Sequence, residues 1–209
     1  RQTMNNIILP ASGLALVLYA VAFALLWRDL NTRLQESRNT VAATQPTVSG
    51  VAFAAATVGL ICQLSATAGA LVQDEPVMRL NLSLLAVTSL VTCVIVGVTA
   101  VSTLRVRADY LMLLCLPLAA LSLGALSLFP PGNTQPVALD SAQIGHILLS
   151  ISAYAALMTA ALQSALIALQ ERRLRAPQTG LIGLLPPMES MESLFITMLW
   201  LGVGLLTLS

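Results

Sequence analysis

Six stretches of nearly unbroken apolar residues alternate along this chain with short polar connections. Windows of about 19 residues place them near Ile7 to Trp27, Val48 to Val72, Leu80 to Leu104, Tyr110 to Phe129, Ile144 to Leu169 and Leu194 to Ser209. At about 1.5 Å of rise per residue, segments of this kind cross about 30 Å of hydrocarbon as helices. Lipid offers the backbone no hydrogen bonds, so each segment must satisfy its own. The predicted fold is all-α: a polytopic transmembrane bundle of about six helices forming one domain over residues 1–209. The sixth stretch reaches Ser209 without a polar tail and the chain opens on Arg1, so the sequence reads as a piece of a longer protein, incomplete at its C-terminal side.

Composition removes the water-soluble alternative. Hydrophobic residues make up 57% of the 209 positions and charged residues 9%, too few to solvate a globular surface. A net charge of +1 gives no basis for binding nucleic acid. The connections are too short for a soluble domain of about 50 residues, and no Gly-rich phosphate loop points to an ATP-driven pump.

Charge placement predicts orientation, because short basic loops stay on the cytoplasmic side. All ten basic residues are arginines. The first loop carries Arg28, Arg33 and Arg38, the third Arg105 and Arg107, and the fifth Arg172, Arg173 and Arg175. The second loop sets Asp74 and Glu75 against Arg79, and the fourth, from Pro130 to Gln143, has no basic residue. Loops one, three and five are therefore expected inside, and loops two and four outside together with the N-terminus. A cleaved signal peptide is the competing reading of the first stretch, through Ala20, Ala22 and Ala24. The apolar run continues through Trp27, however, and the heavier charge follows it, against the usual signal pattern.

Candidate chemistry is sparse. Cys62, Cys93 and Cys115 lie within three different spans and form neither a CxxC pair nor a haem-attachment CxxCH motif; they read as packing residues. His146 is the single histidine and lies about one turn into the fifth span, on its outer side. Helical steps put Ser150, Tyr154 or Ala153, and Leu157 or Ala161 on its face. Gly145, Ser152, Ala155 and Ala156 would let a flat ligand or another helix approach. A neutral imidazole in such surroundings suits an axial haem ligand. The alternatives are an interfacial histidine bonded to a loop carbonyl and a proton relay. A second axial ligand would come from beyond Ser209, from Met78 or Met188, or from another chain.

Gln63, Asn81, Ser83, Thr88, Ser89, Thr92 and Gln163 are expected to bond between helices more readily than to line a cavity. Pro117 should kink the fourth helix, Gly202 and Gly204 should mark close packing, and Ser190 should cap the sixth helix with Glu192 near its positive end.

Several segments together carry a resemblance: Gly145-His146-Ile147-Leu148-Leu149-Ser150-Ile151-Ser152-Ala153-Tyr154-Ala155, the Gln170-Glu171-Arg172-Arg173-Leu174 run, Leu185 to Glu192, and Leu201 to Leu208. Their order resembles the cytochrome c assembly protein superfamily, with its CcsA/ResC and HemX-like branches. The Asn81-Leu82-Ser83-Leu84-Leu85 start of the third span resembles the short YpjD-type inner-membrane proteins. The likeness covers the chain from about Arg79 onward. It implies a bacterial inner-membrane protein of cytochrome c biogenesis, with haem as ligand and other biogenesis or membrane proteins as partners. In full-size members an external Trp-rich segment flanked by two histidines presents haem to apocytochrome, and His146 matches the first of those histidines. This chain departs in having no Trp-rich segment; its tryptophans are Trp27 and Trp200. The reading is a non-enzymatic haem-handling protein, with His146 as iron ligand and Tyr154 as a hydrogen-bond donor behind it. The alternative is a membrane scaffold or regulatory subunit of HemX-like type. A transporter ranks last for want of ionisable residues at mid-membrane.

Overall fold

The structure is a computed structural model that describes residues 2–39, 50–73, 79–80, 82–105, 109–129, 137–138, 140–174 and 188–209. Six helices carry the chain: α1 (Gln2–Asn39), α2 (Gly50–Leu71), α3 (Leu84–Arg105), α4 (Asp109–Leu128), α5 (Ser141–Leu174) and α6 (Met188–Leu208). All six contain segments long and apolar enough to cross a membrane. The all-α bundle expected from the apolar pattern is what folds. Two helices outrun their apolar stretches. α5 has 34 residues, about 51 Å at the usual rise, because Gln170, Glu171 and Arg172 end hydrophobicity without ending helical propensity.

One addition to the expected architecture is a small sheet. Val72–Gln73 (β1), Arg79–Leu80 (β2) and Val137–Ala138 (β3) pair antiparallel in the order β1-β2-β3, with Val72 opposite Leu80 and Arg79 opposite Ala138. It ties the α2–α3 connection to the α4–α5 connection at one end of the bundle, called here the sheet end.

Helices α1 to α4 form a closed ring of contacts, α1 on α2, α2 on α3, α3 on α4 and α4 on α1; α5 docks on α3, and α6 packs on α5. The inward faces are built from small residues. On α2 the buried positions are Ala52, Ala56, Gly59, Gln63, Ala66, Thr67, Ala70 and, at the helix end, Leu71, while Val51, Val58, Ile61 and Leu64 face outward. On α1, Ser12, Ala15, Tyr19, Ala22 and Leu26 repeat at steps of three and four. Where lipid is as apolar as leucine, only close backbone approach and polar bonding favour a helix neighbour, so small residues turn inward. Cys93 and Cys115 are buried and Cys62 half-buried, all as free thiols, matching the packing role expected.

α4 continues through Pro117, whose ring lies on the exposed side. Two local expectations need adjusting. α6 begins at Met188, so Ser190 lies in its first turn and does not cap it; Glu189 is the first-turn acid. Of the two glycines, only Gly202 marks close packing: a Cβ there would lie 2.7 Å from Leu157 Cγ, whereas one on Gly204 would meet nothing within 4 Å.

Gly202→Ala is therefore expected to destabilise the α5–α6 pair by about 1–3 kcal/mol through overpacking. Gly204→Ala should stay neutral or gain up to about 1 kcal/mol in helix propensity. Denaturation midpoints of the two variants in detergent check the contrast.

Candidate functional site

The sheet end of α5 is a well-made helix start. Asp140 accepts a bond on Oδ1 from the Ser141 amide at 2.8 Å, and the Asp140 amide donates to Gln143 Oε1 at 3.0 Å. The latter is the returning half of a capping box. This fixes the first turn and with it the direction in which the second turn, carrying His146, projects. His146 is exposed at the α5 edge of the bundle.

Its ring is not loose. Nδ1 lies 2.5 Å from the Ser209 carbonyl oxygen and 3.5 Å from the Ser209 hydroxyl. That hydroxyl in turn lies 2.7 Å from the hydroxyl of Ser150, one turn along α5 from His146. Helix register explains the meeting. Gly202 and Ser209 are seven residues apart on α6, and Ser150 and Leu157 seven apart on α5, so each pair spans two turns on one face. The Gly202–Leu157 contact therefore brings the end of α6 against the start of α5.

Of the residues singled out from the sequence, His146 and Ser150 come together as expected, and their common partner is Ser209. Nothing in the linear pattern marked Ser209; its placement on the buried α6 series Met191, Leu194, Met198 and Gly202 is the signal that finds it. Tyr154 is 59% exposed, with no hydrogen bond to His146 among the described residues. Eight helical steps put it about 80° round the helix and about 12 Å deeper. Met188 opens α6 and so lies at the opposite end of that helix from Ser209, about 30 Å away, out of reach as a second ligand. Met78 and Asn81 lie outside the described residues, as do Arg1, Arg107, Arg175, Pro186 and Pro187.

Of the remaining polar candidates, Gln63, Ser89, Thr92 and Gln163 form interhelical bonds, as expected. Gln63, fully buried in α2, accepts from Tyr19 of α1 at 2.6 Å and donates toward Ser89 O at 3.1 Å and Thr92 Oγ1 at 3.2 Å of α3. Thr67 reaches Ser89 at 2.9 Å, and Thr92 reaches Ser122 of α4 at 2.6 Å. One amide thus links four helices. Ser83 bonds the Ala86 amide at the start of α3, and Thr88 bonds its own helix at Leu84. Gln163 of α5 accepts from Tyr110 of α4 at 2.9 Å, while its Nε2 and the Oε1 of Gln170 are buried with no hydrogen-bond partner among the described residues.

Among the described residues no group of three or more His, Cys, Asp or Glu converges on one point. A metal held wholly by side chains is therefore a poor fit to this part of the chain. A single imidazole with one nitrogen engaged and the other without a partner among the described residues suits a macrocycle that brings its own equatorial ligands. With helices of membrane-crossing length and an exposed polar cluster at one end, the chain is a multi-pass helical membrane protein. A family model described as cytochrome C assembly protein matches residues 51–209, most of the chain, and the protein belongs to that family. The match starts at α2, a helix earlier than the motifs read from the sequence, and leaves α1 outside it. No curated protein and no solved structure matches the chain.

The two buried glutamines should respond differently to replacement. Gln63→Leu leaves the Tyr19 hydroxyl and two α3 hydroxyls without a shared partner and should cost about 1–3 kcal/mol. Gln163→Leu removes an unpaired donor along with one bond, and should cost less than about 1 kcal/mol. Unfolding titrations of both variants give the comparison.

Proposed function

We propose that this protein binds and orients haem at the external face of the bacterial inner membrane, using His146 as an iron ligand, as a non-enzymatic component of cytochrome c biogenesis. The observation that carries the reading is the tethered imidazole: it sits within the family-matched region, at the end of α5, with Nδ1 engaged and no described residue bonded to Nε2. Haem, when bound, would supply the iron and its redox chemistry; the chain would supply the His146 imidazole as a ligand and an apolar edge for the macrocycle. Gly145 and Tyr154 are both exposed on that edge and add no bulk directly beside the ring and a flat aromatic surface deeper in.

The external assignment of the sheet end follows from the arginine distribution, which leaves Arg28, Arg105 and Arg172 at the other end. The start of the third span, Asn81 to Leu85, resembles the short YpjD-type members, and this likeness supports reading the chain with that branch. A scaffold or regulatory subunit is the competing reading. It draws on the outward face of α6, where Trp200 is 73% exposed.

The detergent-purified protein titrated with haem should develop a Soret band that shifts or disappears in His146→Ala. Identical haem-free spectra for both would overturn the haem reading and favour the scaffold. For orientation, Ala142→Cys should react with a membrane-impermeant maleimide in intact cells and Glu171→Cys only after permeabilisation; the reverse pattern would invert the topology.

A further inference from the structure

Two fully buried glutamines differ in what the bundle gives them. Gln63 meets the Tyr19 hydroxyl at one amide atom and Ser89 and Thr92 at the other, so neighbouring helices pair both of its ends. Gln163 accepts from the Tyr110 hydroxyl at 2.9 Å, and its Nε2 is buried with no hydrogen-bond partner among the described residues. Turning this amide over only exchanges which of its two atoms is left. Seven residues on, two turns along the same face of α5, the Oε1 of Gln170 is left in the same way, in a residue that is 5% exposed. We infer that Gln163 and Gln170 are the two ends of an internal water site, a short file of bound water held against the half of α5 farther from the sheet end.

The chemistry of the two amides selects the occupant. A buried amide atom stripped of solvent and given no bond is costly, and native proteins pair nearly all of them. What is left over here is one N–H donor and one C=O acceptor, neither of them charged. The guest must therefore accept at one end, donate at the other and carry no charge, which water does. A lone water on Gln163 Nε2 would have one of the two to four polar partners that a buried water takes. The rise between the two residues is about 10 Å, a distance that about three waters joined at about 2.8 Å cover, and in a file each water has a neighbour on either side. Leu166, between the two glutamines, is partly buried against the core and offers no competing bond. Tyr110, at the start of α4, holds the other atom of the Gln163 amide and so fixes its direction. Gln170 is followed by the exposed Glu171, which marks the side from which water enters. The site is separate from His146 and does not depend on what that ring binds.

The test compares two glutamines within one spectrum. With 15N-glutamine labelling of the protein in lipid nanodiscs, the side-chain amide resonances of Gln63 and Gln163 are assigned by their loss in Gln63→Leu and Gln163→Leu. Rotating-frame cross-peaks from the water line, opposite in sign to those of chemical exchange, should appear at the Gln163 amide and be absent at Gln63. Tyr110→Phe removes the neighbouring exchangeable hydroxyl and should leave the Gln163 peak in place. Gln170→Met, close in shape and without the acceptor, takes away the far end of the file and should weaken the Gln163 peak roughly twofold or more. A Gln163 amide without a water peak, a peak lost in Tyr110→Phe, or a peak unmoved by Gln170→Met overturns the inference. A cross-peak from lipid headgroup protons in place of water overturns it as well.

Discussion

The close approach of α6 to α5 at Gly202 is the contact on which the site depends. A side chain at that position would run into Leu157 and the backbone nitrogen behind it, and α6 would have to slide or lift. Among the described residues α6 packs chiefly on α5, so its register rests mainly on that interface. Two turns on, the same register delivers the Ser209 carbonyl and hydroxyl to His146 and Ser150. Helix packing, which in a bilayer rests on small residues and short-range contact and owes nothing to hydrophobic burial, is thereby converted into the orientation of one imidazole.

The other four helices supply the base against which this pair is held. Their ring is closed by small-residue faces and by the Gln63 amide, which touches α1 and α3 directly and α4 through Thr92 and Ser122. Bonds of this kind are worth about 0.6 kcal/mol each on average in a membrane protein, so their main effect is on specificity: a rotated or shifted helix would strand several polar groups in hydrocarbon. The small sheet at the end of the bundle adds a backbone tie between the two connections that flank the site.

Much of this could be read from the sequence, and the limits have physical causes. Hydropathy windows found the six spans because lipid sets the length of an apolar run. They ended α1 and α5 too early because hydropathy measures the solvent and not the helix, and the polar residues from Arg28 to Asn39 are good enough helix formers to continue. Which face turned inward was hidden as long as hydrophobicity was the guide, since every face is apolar. Residue size would have shown it: Ala52, Ala56, Gly59 and Ala66 mark the inner face of α2 as clearly as leucines would in a soluble bundle. At the site, His146 stood out as the lone ionisable ring near a span end, and helical spacing brought in Ser150. Ser209 did not stand out, because its role exists only once α6 lies antiparallel to α5. The expected donor Tyr154 came from counting steps along one helix, where the ring is in fact met by a residue from another.

The family match over residues 51–209 includes the helix pair on which the imidazole of His146 is held. The most direct test of the account is the structure of the protein loaded with haem, with the iron located by its anomalous scattering. The account predicts iron bonded to the His146 ring. Haem lodged away from His146 would contradict it.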